Sequence, residues 1–141
     1  MPFLLKYLLF FLLLSSTMSS PVSEIKLAFG QWTDAYNRGN IDGYLEGYAD
    51  LPTIRYVSGK NVIIGKEEVC KVFKEKGTKG FLELVHFEAE CFGDNAICFG
   101  KYKLTEDLKD GEEKEIVHEG CFTVHVRKLN GQWKIISDHS S

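Results

Sequence analysis

After Gly80 the chain carries four strand-length runs, FLELVHFEAEC, AICFGKYKLTED, EIVHEGCFTVHVRKL and QWKIISDHS, each rich in β-branched and aromatic residues. Turn dipeptides join them: Asp94-Asn95, Asp110-Gly111 and Asn130-Gly131, the last two of the kind that closes two-residue hairpins. An antiparallel meander follows from this alone. Nothing else in the sequence constrains the fold as strongly, because such a sheet has an apolar face that other elements must cover.

The preceding residues supply the cover. In SEIKLAFGQWTDAYNRGN the residues Ile25, Ala28, Phe29, Trp32 and Tyr36 recur every three or four positions, which predicts a helix capped by Ser23 and ended by Gly39. NIDGYLEGYAD predicts a second, shorter helix with Ile41, Tyr44, Leu45 and Tyr48 along one side. TIRYVSG and NVIIG read as two short strands, and KEEVCKVFKEKG, with Val69, Val72 and Phe73 at helical spacing, reads as a third helix. The fold class is therefore α+β, an antiparallel sheet of about six strands with three helices packed on one face.

A chain of 141 residues is one domain long. Its 17 basic and 20 acidic residues are interspersed, so no basic face stands ready to neutralise phosphates, and nucleic acid is excluded as a partner. At the N-terminus, Lys6 precedes the apolar run Tyr7–Leu14 and then small polar residues. This is the layout of a secretory signal peptide over 1–19, leaving a mature domain over 20–141. The apolar stretch falls short of the roughly 20 residues that span a bilayer, so the expectation is secretion without a membrane anchor.

An oxidising compartment bears on Cys70, Cys91, Cys98 and Cys121, for which three connectivities exist. A two-residue loop at Asp94-Asn95 sets Cys91 opposite Cys98, where a cross-strand disulfide fits; the alternative is a pair of buried thiols. The cysteines lack tetrahedral ligand spacing, so no metal is expected.

The Asn130-Gly131 hairpin fixes a register: Lys128 with Trp133, Val126 with Ile135, Val124 with Ser137, Phe122 with His139. By alternation His139 shares the apolar face with Phe122, Val124, Val126 and Ile135, and Asp138 points the other way with Thr123, His125 and Ile136. The same arithmetic across Asp110-Gly111 adds His118, Lys101 and Phe99 to the apolar side, unless a bulge intervenes.

The order of elements, with FGQWTDAYNRGNIDGYLEGYAD, GKEEVCKVF and GCFTVHVRKLNGQWKIISDHSS, resembles the nuclear transport factor 2-like superfamily, in particular its SnoaL-like and calmodulin-dependent kinase association-domain-like branches. The resemblance implies a cone-shaped curved sheet with the helices on its concave face, a pocket between them, and frequently a homodimer formed through the sheet. The superfamily holds isomerases, cyclases, dehydratases and assembly domains, so function must be argued from the pocket.

Chemistry of that kind needs a carboxylate or histidine in an apolar cavity and a donor for an enolate oxygen, and no cofactor. The candidates are His139 and Asp138 as acid or base, Tyr56 and Tyr102 as donors, and Trp32, Tyr36, His118 and Phe122 as pocket lining. Each has a plainer reading: His139 closing the cone through a backbone hydrogen bond, Asp138 solvated, His118 on the surface, the aromatic stripe as simple core. The preferred reading is a secreted, homodimeric receptor for a small apolar or amphipathic molecule, with no established reaction; the alternative is a cofactor-free isomerase, cyclase or dehydratase acting on a small apolar ketone-like substrate. A third, an assembly module, would have a sealed cavity.

Overall fold

The computed structural model describes residues 20–108, 111 and 115–141. The leader expected over 1–19 and most of the Asp110-Gly111 turn lie outside the described residues. Helix α1 (Pro21–Asn37) starts one turn earlier than its apolar stripe requires. Ser20 is extended and its hydroxyl accepts from the Ser23 N–H at 3.2 Å, while Pro21 fills the first turn, where a missing N–H is harmless. The cap is therefore Ser20 rather than Ser23, whose hydroxyl lies 2.8 Å from that of Ser20. Ile25, Phe29, Trp32 and Ala35 are buried, and α1 lies against the sheet.

Helix α2 (Ile41–Leu45) is only five residues long. Tyr48, expected on its face, instead follows it in a turn bridged to the sheet. Ile135 N–H donates to Gly47 O at 2.7 Å and Ala49 N–H to Ile135 O at 2.9 Å. Helix α3 (Lys66–Lys76) buries Val69 and Phe73, and Lys66 reaches back to donate to Leu45 O and Tyr48 O at 2.5 and 2.7 Å. Those carbonyls end α2 and its turn, so one lysine joins the helical segments.

The strands are β1 (Arg55–Ser58), β2 (Asn61–Ile64), β3 (Phe81–Phe92), β4 (Asn95–Glu106), β5 (Ile116–Leu129) and β6 (Gln132–Ser140). They form one open sheet in the order β2-β1-β6-β5-β4-β3. All neighbours are antiparallel except β1 and β6, so the sheet is mixed rather than wholly antiparallel. The three helices cover the face that carries Val124, Val126, Cys98 and Ile135, and Ile25, Ile54 and Val69 close the core without exposure. Among the described residues no helix is long and apolar enough to cross a membrane.

Three register expectations change. The β3–β4 turn is Gly93-Asp94, with Phe92 opposite Asn95 and Gly93 at φ 61; a glycine takes the positive φ of the first central position at little cost. Cys91 then faces Ala96 and Cys98 faces Ala89. Such diagonal neighbours stand about 7–8 Å apart, beyond disulfide reach, and all four cysteines are free.

The second change is at β4–β5. A two-residue Asp110-Gly111 loop would pair Glu106 with Glu115; its partner is Ile116, which moves Phe99 and Lys101 to the outer face. The third is decisive for the site. At β5–β6 the first pairs hold, Lys128 with Trp133 and Val126 with Ile135, but His125 then faces Ser137. Ile136 is an extra residue in β6, a bulge, and every later residue of the strand changes face.

Candidate functional site

The bulge decides which of two adjacent titratable residues enters the molecule. Beyond Ile136, Asp138 lies opposite Val124 and Ser140 opposite Phe122 on the concave face, while His139 pairs with Thr123 and Val57 on the convex one. Asp138 is 7% exposed and His139 is exposed. The expected orientations are therefore exchanged: the carboxylate is inside and the imidazole outside.

Asp138 sits in a fixed frame. Tyr48 Oη donates to Asp138 Oδ2 at 2.6 Å, and Ser140 Oγ donates to Oδ1 at 3.1 Å. Tyr48 is 1% exposed and is held beside β6 by the Gly47–Ile135–Ala49 bridge. Burial raises the proton affinity of Asp138 above the ordinary carboxylate value. The Tyr48 and Ser140 donors and the neighbouring His139 oppose the rise without cancelling it. Tyr48 is pushed well above the usual phenol range by burial first and the Asp138 charge second. Tyr44 moves the same way for the same two reasons.

In front of the carboxyl lies a cavity of about 220 Å³, partly open to solvent. Its apolar walls come from Phe29 and Trp32 of α1, Phe73 of α3, and Leu84, Phe122 and Val124 of the sheet. Phe29 contacts the rings of Trp32 and Phe87 at centroid distances of 5.0 and 4.8 Å, and Tyr56 contacts Phe73 at 4.9 Å. Tilted and edge-on contacts of this kind hold the rings in fixed orientations.

The hydroxyl groups lining the cavity beside Asp138 belong to Thr33, Ser58 and Ser140 and to Tyr36, Tyr44, Tyr56 and Tyr102. Tyr56 and Tyr102 both have raised phenol pKa values, caused chiefly by burial, with the Asp138 charge adding to each. They are neutral donors at any physiological pH. Tyr102 Oη donates to Ser141 O at 3.2 Å, an approach that depends on Gly120. A Cβ on Gly120 would stand 2.6 Å from Tyr102 Oη and 1.9 Å from Ser141 O.

Of the residues expected in the pocket, Asp138, Trp32, Tyr36, Tyr56, Tyr102 and Phe122 all line this cavity. His139 and His118 do not. His118 shares the concave parity with Phe122 but lies out at the rim, exposed, with Nε2 3.3 Å from Glu106 Oε1. Tyr48 and Ser140, the two groups that grip the carboxylate, are not among the candidates that the sequence offers. Serine alternates with aspartate at i+2 on one strand face, which is a readable signal; Tyr48 lies 90 residues away from Asp138, which is not.

A broader groove of about 780 Å³ runs along the other side of α1, beside the β5–β6 hairpin. Its carboxylate Glu24 accepts from Trp133 Nε1 at 3.0 Å and from Lys128 at 3.3 Å. That arrangement fastens α1 to the hairpin, whereas the smaller cavity holds a desolvated acid with aromatic walls. Among the described residues no group of three or more His, Cys, Asp and Glu is disposed to hold a metal ion.

Helices on one face of an open, bulged sheet, enclosing an aromatic cavity with a carboxyl at its floor, define the pocket-bearing α+β cones. The SnoaL-like domain family matches residues 25–141, and the chain belongs to it, within the nuclear transport factor 2-like superfamily. It is similar to a nuclear transport factor 2-like protein of unknown function from Shewanella oneidensis, with 27% identity over 86% of this chain and 99% of that one, at a TM-score of 0.76. A putative calcium/calmodulin-dependent protein kinase II association domain from Xanthomonas campestris is 25% identical over 84% of each chain, at a TM-score of 0.70. No curated protein matches the sequence.

Proposed function

We propose that the cavity binds a small, largely apolar carbonyl compound and that Asp138 moves a proton on it, without a cofactor. The observation that carries this reading is a buried carboxyl, raised in proton affinity, at the floor of an aromatic cavity. A base of this kind abstracts a proton next to a carbonyl best when its proton affinity lies near the working pH, and desolvation shifts Asp138 in that direction. Tyr56 supplies the hydrogen bond that an enolate oxygen needs; Tyr102 would do so only by turning its proton away from Ser141 O. The reaction class is isomerisation, cyclisation or elimination, all of which share that first step.

The direct test is hydrogen–deuterium exchange at the α-carbon of monocyclic ketones, followed by proton NMR in D₂O. The expected result is exchange above the buffer rate, reduced about 10²–10⁴-fold by Asp138→Asn, which keeps the shape and one of the two acceptor oxygens. Exchange no faster than buffer across the panel would remove the enzyme reading. It would leave a receptor for the same class of molecule, tested by calorimetric titration with the same ketones.

The domain is also proposed to be secreted after removal of 1–19 and to form a homodimer through the convex face of the sheet. Support for the first is the charged, then apolar, then small-residue order of the leader. Support for the second is the exposure of Phe99 on that face, at 40%. Intact mass of the exported protein and light scattering test them in turn.

A further inference from the structure

A second hollow adjoins the cavity. This groove of about 390 Å³ shares Tyr36, Tyr102 and Leu104 with the cavity wall, so those three side chains form the partition between the two spaces. Beyond the partition the groove is lined by Lys76, Lys79, His118 and Glu106. Cationic side chains therefore stand on the far side of the aromatic wall that bounds the cavity.

The charges there are unequal. Glu106, the one carboxylate in the groove lining, stands 3.3 Å from the His118 ring. Among the described residues no carboxylate pairs with Lys76 or Lys79. Lys76 ends α3 and complements the carbonyl end of that helix. Lys79 lies beyond the helix and has no helix end to complement. Its backbone is nevertheless fixed at the groove: its N–H donates to Tyr36 Oη at 3.1 Å, and Tyr36 Oη lies 3.4 Å from its carbonyl. One tyrosine thus serves as cavity wall and as anchor for a cationic residue at the exit.

We infer that this groove is an anion subsite of the cavity, and that the natural ligand is a small amphipathic monocarboxylate with its apolar body in the cavity and its charged end between Lys76 and Lys79. The inference rests on the cavity being a small-molecule site and adds the charge class of the occupant. A single negative charge suits the position. Two exposed ammonium groups attract it through water, whereas an anion forced to the floor would meet the Asp138 carboxyl.

The experiment compares phenylbutanoate with phenylbutanol, an acid and an alcohol of matched shape, by calorimetric titration of the whole protein and of the double variant Lys76→Gln/Lys79→Gln. Both lysines are exposed, so the variant keeps the fold. In the native protein the acid binds about tenfold more tightly than the alcohol at low salt, and the advantage shrinks at high salt. In the variant the two probes bind alike, at the affinity of the alcohol. Equal affinities in the native protein, or an acid preference that survives in the variant, overturn the subsite while leaving the cavity reading intact. Binding of neither probe overturns both.

Discussion

Tyr48→Phe removes one buried hydroxyl and leaves the ring contacts with Tyr44 and Phe73, at centroid distances of 6.2 and 5.9 Å, in place. The lost group donates at 2.6 Å to a carboxylate that burial has already deprived of water. A hydrogen bond to an ionised acceptor contributes about 1.5–3 kcal/mol, and one between neutral groups about 0.5–1.5 kcal/mol. The destabilisation should therefore depend on the charge state of Asp138. Because the Tyr48 bond lowers the proton affinity of Asp138, removing it raises that affinity further, and the variant loses stability relative to the native protein as pH rises through the titration. At pH 3, below the ordinary carboxylate value of 3.8, Asp138 is protonated whether the chain is folded or not, and the expected difference is about 1 kcal/mol. At pH 8 it is about 2–3 kcal/mol, or roughly 5–12 °C in melting temperature for a domain of this size. Urea unfolding followed by circular dichroism at both pH values measures it. A difference that is the same at both, or below about 0.5 kcal/mol at pH 8, would refute the charge-assisted contact.

Further consequences follow from the same geometry. Asp138→Asn removes a group whose folded proton affinity is raised, so the native protein should lose stability relative to the variant as pH climbs above 3.8, by about 1.4 kcal/mol for each unit of displacement; a flat or reversed trend in the difference of unfolding free energies argues against desolvation. Gly120→Ala places a methyl group against Ser141 O and Tyr102 Oη and should lower stability by about 1–3 kcal/mol, whereas an unchanged melting temperature would mean that the strands are not so closely apposed. Peptide mapping without reduction should recover Cys91 and Cys98 as separate thiols, with Cys98 slow to alkylate because burial pushes its pKa to about 12; a linked peptide would contradict the diagonal register.

Periodicity made the elements legible: three helical stripes and six strand runs appear where the apolar spacing puts them. The Asn130-Gly131 turn also gave the first pairs of the last hairpin correctly, because both residues adopt the positive φ that this turn demands. Strict alternation holds only as far as the irregularity that follows. Ile135 and Ile136 are consecutive apolar residues in a strand that otherwise alternates, and that break is the one local sign of the bulge. Alternation carried across the bulge exchanges Asp138 for His139. The parallel pairing of β1 with β6 joins segments far apart in the chain and leaves no local pattern at all, so the mixed character of the sheet was not readable. The aromatic residues were identified as pocket lining from their helical and strand faces, yet the grip of Tyr48 on Asp138 depends on the Gly47–Ile135 bridge, which is tertiary.

The central claim is that one extra residue in β6 turns a carboxyl into an apolar cavity and leaves it there with a raised proton affinity. Carbon-13 NMR of the Asp138 side-chain carboxyl, followed against pH and assigned through Asp138→Asn, tests it most directly. The account predicts a midpoint above 3.8 that moves higher in Tyr48→Phe and responds to phenylbutanol in the cavity. A midpoint at or below that value, indifferent to both, would mean that Asp138 faces water.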